Sequence, residues 1–195
     1  RGSSCLQTGS HQLLAVAIGF EGTCATASLD RARNGVISGN TVYAIDSRNN
    51  PAYDGSFTSG GGYAAVAGIY VDGGTAITIE RNRVYDCNYG IELASEAENG
   101  KTDAITVRNN LLHHNHQAGL ILGGYDEYRG ATTNCSILNN TLYLNDTLKS
   151  YSGQIQVQFY VTNVSFKNNV IWARGDTKQI LVHAPEGDSP SAAQK

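Results

Sequence analysis

The chain has 195 residues, a formal charge of −3, 16% charged residues, 22 glycines, three prolines and no methionine. That balance leaves no basic footprint for nucleic acid and no polybasic patch for a membrane surface, so neutral or small partners are expected. The length suits one domain with a sizeable core, and frequent Gly and Asn favour tight turns and an all-β design over long helices.

Residues 1–30 show no clear period, and they are expected to form an N-terminal cap or partial coil over the open end of a stack of repeats. Their apolar run from Leu13 to Phe20 falls well short of the ~20 residues of a membrane span. It also lacks the basic region and cleavage site of a signal peptide. Cys5 and Cys24 flank this run and are suited to a disulfide in an exported protein, whereas Cys87 and Cys135 read as small apolar side chains buried among repeats. With no C-x-x-C spacing, no zinc site is expected.

From Gly35 a repeat appears: GVISGNTVY, ITIERNRVY, ITVRNNLLH, CSILNNTLY and VSFKNNVIW. The aligned asparagines are Asn40, Asn82, Asn110, Asn140 and Asn169, giving steps of 42, 28, 30 and 29 residues. Three near-equal steps and one enlarged step are the signature of a solenoid with a long loop, here Asn49 to Tyr63. An Asn in a shared register, at a bend that tolerates left-handed angles, predicts a ladder of side-chain amides from coil to coil. Each coil then carries a glycine-led strand: GIYVD, GIELA, GLILG and GQIQV, with QILVH as the last copy.

Alternation in these strands sends Ile69 and Val71, Ile91 and Leu93, Leu120 and Leu122, Ile155 and Val157 inward. Outward it leaves Tyr70, Glu92, Ile121 and Gln156 in one column and Asp72, Ala94, Gly123 and Gln158 beside it. Residues 31–184 are therefore expected to form a right-handed parallel β-helix of about five coils. The polar segment 185–195 is expected to be a disordered tail.

Function is expected on the outward face. Asp72 lies close enough to Glu92 or Glu96 for carboxyl groups ~5 to 9 Å apart, the range of glycosidase pairs. The loop after the third strand, Gly124 to Thr133, offers Tyr125, Asp126 and Arg129 for stacking on a sugar and fixing its hydroxyls. Tyr70, Gln156 and Gln158 extend that surface. His113, His114 and His116 diverge along the backbone and read as turn and surface residues, not as metal ligands. Four Asn-x-Ser/Thr sequences, at Asn134, Asn139, Asn145 and Asn163, are read as by-products of the ladder.

The run GIYVDGGTAITIERNRVYDCNYGIELASE, with ITVRNNLLHHN, GLILGGYDEYRG and LNNTLYLNDT, resembles the right-handed β-helix proteins of the pectate-lyase-like superfamily over about residues 35–173. Within it the chain looks most like the β-helix β-xylosidases. That resemblance implies a secreted, extracellular or periplasmic glycoside hydrolase that needs no cofactor and acts on a plant or bacterial polysaccharide or its oligosaccharides. It places a retaining nucleophile on Asp72 and the acid/base on Glu96, or on Glu92 if the turn register differs. A polysaccharide lyase or epimerase, with Arg129 or Arg108 as base, is the second expectation. A glycan-binding or structural β-helix, self-associating end to end or side by side, is the third.

Overall fold

The computed structural model describes residues 32–47, 66–124, 126–150 and 152–174, together with the backbones of two further strands, Ile18–Glu21 and Val182–His183. Strands wind in parallel into four sheets. The sheet that carries the glycine-led strands orders Ile18–Glu21, Ala67–Asp72, Tyr89–Ala94, Leu120–Leu122, Ile155–Val157 and Val182–His183. Two five-stranded sheets form the sides that flank the asparagines. A short fourth sheet comprises Lys101–Asp103, Ala131–Thr133 and Val161–Thr162. The predicted parallel β-helix is the observed fold. Among the described residues no helix is long and apolar enough to cross a membrane.

The N-terminal segment contributes a strand of the long sheet, with Ile18 opposite Ile69 and Glu21 opposite Asp72. The expected tail, the long loop at Asn49 to Tyr63, Cys5 and Cys24 lie outside the described residues.

Each of the two five-stranded sides is built from three-residue strands whose middle residue points inward. Ile37, Ile79, Val107, Ile137 and Phe166 form one inward column, and Val42, Val84, Leu112, Leu142 and Ile171 another. These meet the inward residues of the long sheet in a single core. Cys87 and Cys135 sit in that core as free thiols, which burial pushes up to about 11.

The corners show why a five-residue side closes. A left-handed residue stands at each: Ala76, Arg81 and Asp86 in one coil, Ala104, Asn109 and His114 in the next, Asn134, Asn139 and Leu144 after that. Side chains there cost on the order of 1–3 kcal/mol each and persist only where surrounding bonds fix them. Backbone N–H groups bonded to the next coil supply them at the outer corners, as Ala76 does to Asp103 and His114 to Tyr143, and the ladder adds to them beside Arg81, Asn109 and Asn139. Asn82 Nδ2 donates to Asn110 Oδ1 (3.0 Å), Asn110 to Asn140 (2.9 Å) and Asn140 to Asn169 (3.1 Å), and Asn40 joins at 2.9 Å to Asn82. Every rung from Asn82 onward also donates to a carbonyl of the preceding coil, as Asn110 does to Ile79.

The predicted ladder is thus present, with one correction. The left-handed angle falls on the residue before each rung, Gly39, Arg81, Asn109, Asn139 and Asn168, and the rung itself is the first residue past the bend. Of the four Asn-x-Ser/Thr asparagines none is a rung of this ladder, although Asn139 directly precedes the rung Asn140, and Asn145 is buried with its amide bonded to Gln154 and to the Leu112 carbonyl. Asn134, Asn139 and Asn163 are exposed left-handed corner residues, so corner geometry accounts for three of those sequences.

Candidate functional site

Register fixes the site. Tyr70 lies opposite Glu92, Glu92 opposite Ile121 and Ile121 opposite Gln156, while Asp72 lies opposite Ala94. The column of Tyr70, Glu92, Ile121 and Gln156 is therefore in register throughout, whereas of the column of Asp72, Ala94, Gly123 and Gln158 only the Asp72–Ala94 step is paired. Asp72 and Glu92 are a diagonal pair on adjacent strands of one face, with about 7–8 Å between attachment points. The Ala94 strand then ends, and the chain turns so that the Glu96 N–H donates to Asp72 Oδ1 (2.9 Å). Asp72, Glu92 and Glu96 come together on two neighbouring coils.

Two further side chains join them. The Tyr70 hydroxyl donates to Glu96 Oε1 (3.3 Å). Arg129, from the loop after the third strand, donates from Nη1 to the Glu96 carbonyl (3.0 Å) and lies 3.6 Å from Glu96 Oε2. Asp126 does not face the cluster freely. Its Oδ1 accepts the N–H groups of Tyr128 and Arg129 (2.8 and 2.9 Å), and Oδ2 is 3.5 Å from Arg129 Nε, so it folds the loop and aims the arginine. Tyr125 lies outside the described residues.

Gln156 stands two coil steps from Glu92, about 10 Å away at ~4.8 Å per step, and the structure leaves it and Gln158 outside the cluster. The intervening Ile121 is buried although it belongs to the outward column, so the face is itself covered at that coil. Arg108, an expected alternative base, is bound to Glu80 (2.7 Å) on a different side of the solenoid and does not reach the site.

Electrostatics separate the carboxyls. Glu92 is half-buried between Ile121 and Tyr70, and burial, then the negative charges of Glu96 and Asp72, push it up to about 8. Burial, then Glu92, Asp72 and Glu96, raise the Tyr70 phenol well above its ordinary value, which keeps it a proton donor. A carboxyl that stays protonated near neutrality beside a second, hydrogen-bonded carboxylate is the arrangement from which an acid and a nucleophile can be drawn.

The histidines divide differently from their sequence spacing. His113 stacks on Tyr85 (centroids 4.9 Å apart), and His116 Nδ1 pairs with Asp46 Oδ2 (3.0 Å), a buried acid that sequence reasoning missed. Also missed was a second amide ladder one corner further on. Asn115 Nδ2 donates to Asn145 Oδ1 (2.8 Å) and Asn145 Nδ2 to Gln154 Oε1 (2.9 Å). The recurrence of Asn five residues after a rung, at Asn115 and Asn145, was the signal available. No group of three or more His, Cys, Asp or Glu able to hold a metal occurs among the described residues.

Stacked parallel coils, an internal amide ladder and an outward acidic cluster define a parallel β-helix protein with a surface site. The chain belongs to the right-handed β-helix family, whose profile matches residues 19–142 and 67–184. It is 40% identical over 117 residues to the uncharacterized protein YwoF of Bacillus subtilis (strain 168). That similarity covers 60% of this chain and 25% of the relative, so the chain spans about a quarter of the relative's length. No solved structure matches it.

Proposed function

We propose that the chain is a carbohydrate-active β-helix, a retaining glycoside hydrolase working outside the cytoplasm on a polysaccharide or its oligosaccharides. The observation that carries this is the convergence of Asp72, Glu92 and Glu96 on two adjacent coils, beside Tyr70 and Arg129. Asp72 attacks the anomeric carbon while Glu92 gives its proton to the departing oxygen, so the glycosidic bond breaks as the glycosyl–Asp72 bond forms. Glu92 then takes a proton from the water that releases the sugar. Of the two expected acid/base residues, Glu92 fits better because its carboxyl holds a proton near neutrality, whereas Glu96 is exposed and engaged by Tyr70 and Arg129.

A panel of aryl glycosides, arylxyloside included, tests this. Wild type is expected to release the aryl group, and Asp72→Asn to lower kcat/KM at least ~1000-fold, the scale set by loss of a nucleophile. Turnover by Asp72→Asn equal to wild type removes Asp72 from the reaction. An ultraviolet-absorbing unsaturated product in place of hydrolysis replaces the hydrolase with a lyase.

A further inference from the structure

We propose that the outer face of the short fourth sheet is a second saccharide-binding site, which takes a stretch of an extended, neutral polysaccharide laid along the solenoid axis. Thr75, Asp103, Thr133 and Thr162 stand in register there, one per coil. With Lys101 and Asn134 they line an open concavity of about 560 Å³. Every lining side chain is polar. The middle residues of the strands, Thr102 and Thr132, point the other way and bind backbone inside the coil, which fixes the outward set.

The face is built, and part of it is left open. Asp103 Oδ1 accepts the Thr133 hydroxyl (2.6 Å) and Asn134 Nδ2 (2.7 Å), and Asn134 Oδ1 accepts Asn163 Nδ2 (2.5 Å). Those donors hold the Asp103 carboxyl below the usual carboxylate range, making it a fixed anionic acceptor whose Oδ2 takes neither bond. The hydroxyls of Thr75 and Thr162 and the ammonium of Lys101 have no hydrogen-bond partner among the described residues.

A ligand for this set must both donate to a carboxylate and accept from an ammonium and hydroxyls within a few ångströms. Neighbouring hydroxyls of a sugar ring do both. One cation and one anion cancel, which suits a neutral glycan better than a uronate. Rungs recur every ~4.8 Å, a repeat of the same order as the advance per sugar in an extended chain. The single carboxylate lacks the partner that hydrolysis requires, so the site binds without cleaving. Only the choice of a saccharide as ligand rests on the proposed function.

Affinity electrophoresis of the whole chain through gels containing soluble arabinoxylan, glucomannan or polygalacturonate tests it, alongside aryl-glycoside turnover by wild type. Retention by a neutral polymer is expected, falling about tenfold in Asp103→Asn and in Lys101→Ala, since each removes a charged hydrogen-bonding partner. Lys101 is exposed, so its variant keeps the test valid if Asp103→Asn fails to fold, and thermal midpoints check both. Asp72→Asn is expected to be retained. Equal retention of wild type, Asp103→Asn and Lys101→Ala overturns the site, as does wild type that turns over aryl glycosides yet is retained by no polymer. Retention lost in both variants, with no aryl-glycoside turnover by wild type, overturns the hydrolase and leaves the binding site standing.

Discussion

Glu92 owes its chemistry to where one strand places it. Ile121 on one side and Tyr70 on the other keep water away, and two nearby carboxylates disfavour a third charge. Because the folded state holds this proton more tightly than an unfolded glutamate near pH 4.3, the associated stability is fully present below about pH 4.3. It is lost as pH rises through about 8. The thermal midpoint of Glu92→Gln should therefore gain on wild type between those limits, and a constant difference across them would refute the assignment. In the proposed reaction the same proton sets the alkaline limb of wild-type kcat/KM near pH 8, and activity that holds level through pH 9 would remove Glu92 as the acid. Asn110 is the structural counterpart. Its amide makes two donor bonds, and its Oδ1 accepts both Nδ2 and the backbone N–H of Asn82. Asn110→Ala should cost roughly 3 kcal/mol in a denaturant titration, since it strands several buried polar groups.

Strands and corners show how far sequence carries. Alternation around Ile69, Val71, Ile91 and Leu93 and the spacing of the ladder asparagines both identify the fold, because inward burial and amide pairing each demand a particular residue at a fixed interval. The corners were not legible. Ala76, Arg81, Asp86, His114 and Leu144 adopt left-handed angles that their own preferences disfavour, and the bonds that impose them come from other coils. The fourth sheet was hidden for a similar reason: Ala131–Thr133 comes after a Gly-rich loop, and its pairing with Lys101–Asp103 is purely long-range. In the site, the approach of Asp72 to Glu92 and Glu96 was visible because strand alternation and the repeat put them on adjacent coils, whereas the reach of Arg129 back to Glu96 depends on Asp126 folding its loop. Close stacking of coils also explains Gly90: a Cβ there would clash with the Gly119 carbonyl oxygen and crowd Asn115 Nδ2 at 2.9 Å. Gly90→Ala should lower the denaturation midpoint by an amount equivalent to about 2 kcal/mol, whereas Gly39→Ala, with open space around it, should show only the smaller cost of its left-handed angle.

At the scale of the whole stack, the described coils are not evenly buried. Among the described residues of one inward column, Ile37 is 2% exposed and Phe166 is 41% exposed. Coils touch only their neighbours, so a coil whose inward residue is less buried is held less firmly. Amide hydrogen exchange should accordingly be slowest in strands Thr78–Glu80 and Thr106–Arg108 and fastest in Ser165–Lys167. Uniform protection along the axis would mean that the solenoid opens as one unit. The ladder adds a rule of arithmetic to that picture. Each rung donates in the same direction to an identical rung, and Asn110 and Asn140 are 30 residues apart. Excising residues 106–135 would bring Ile105 to Ser136 and Asn82 to Asn140 with the corners Asn139 and Leu144 taking the places of Asn109 and His114, whereas removing half as many would set asparagines against core positions. The chain is thus editable in whole coils and in no smaller unit, and its length can change by duplication or loss of a coil without a new fold being found.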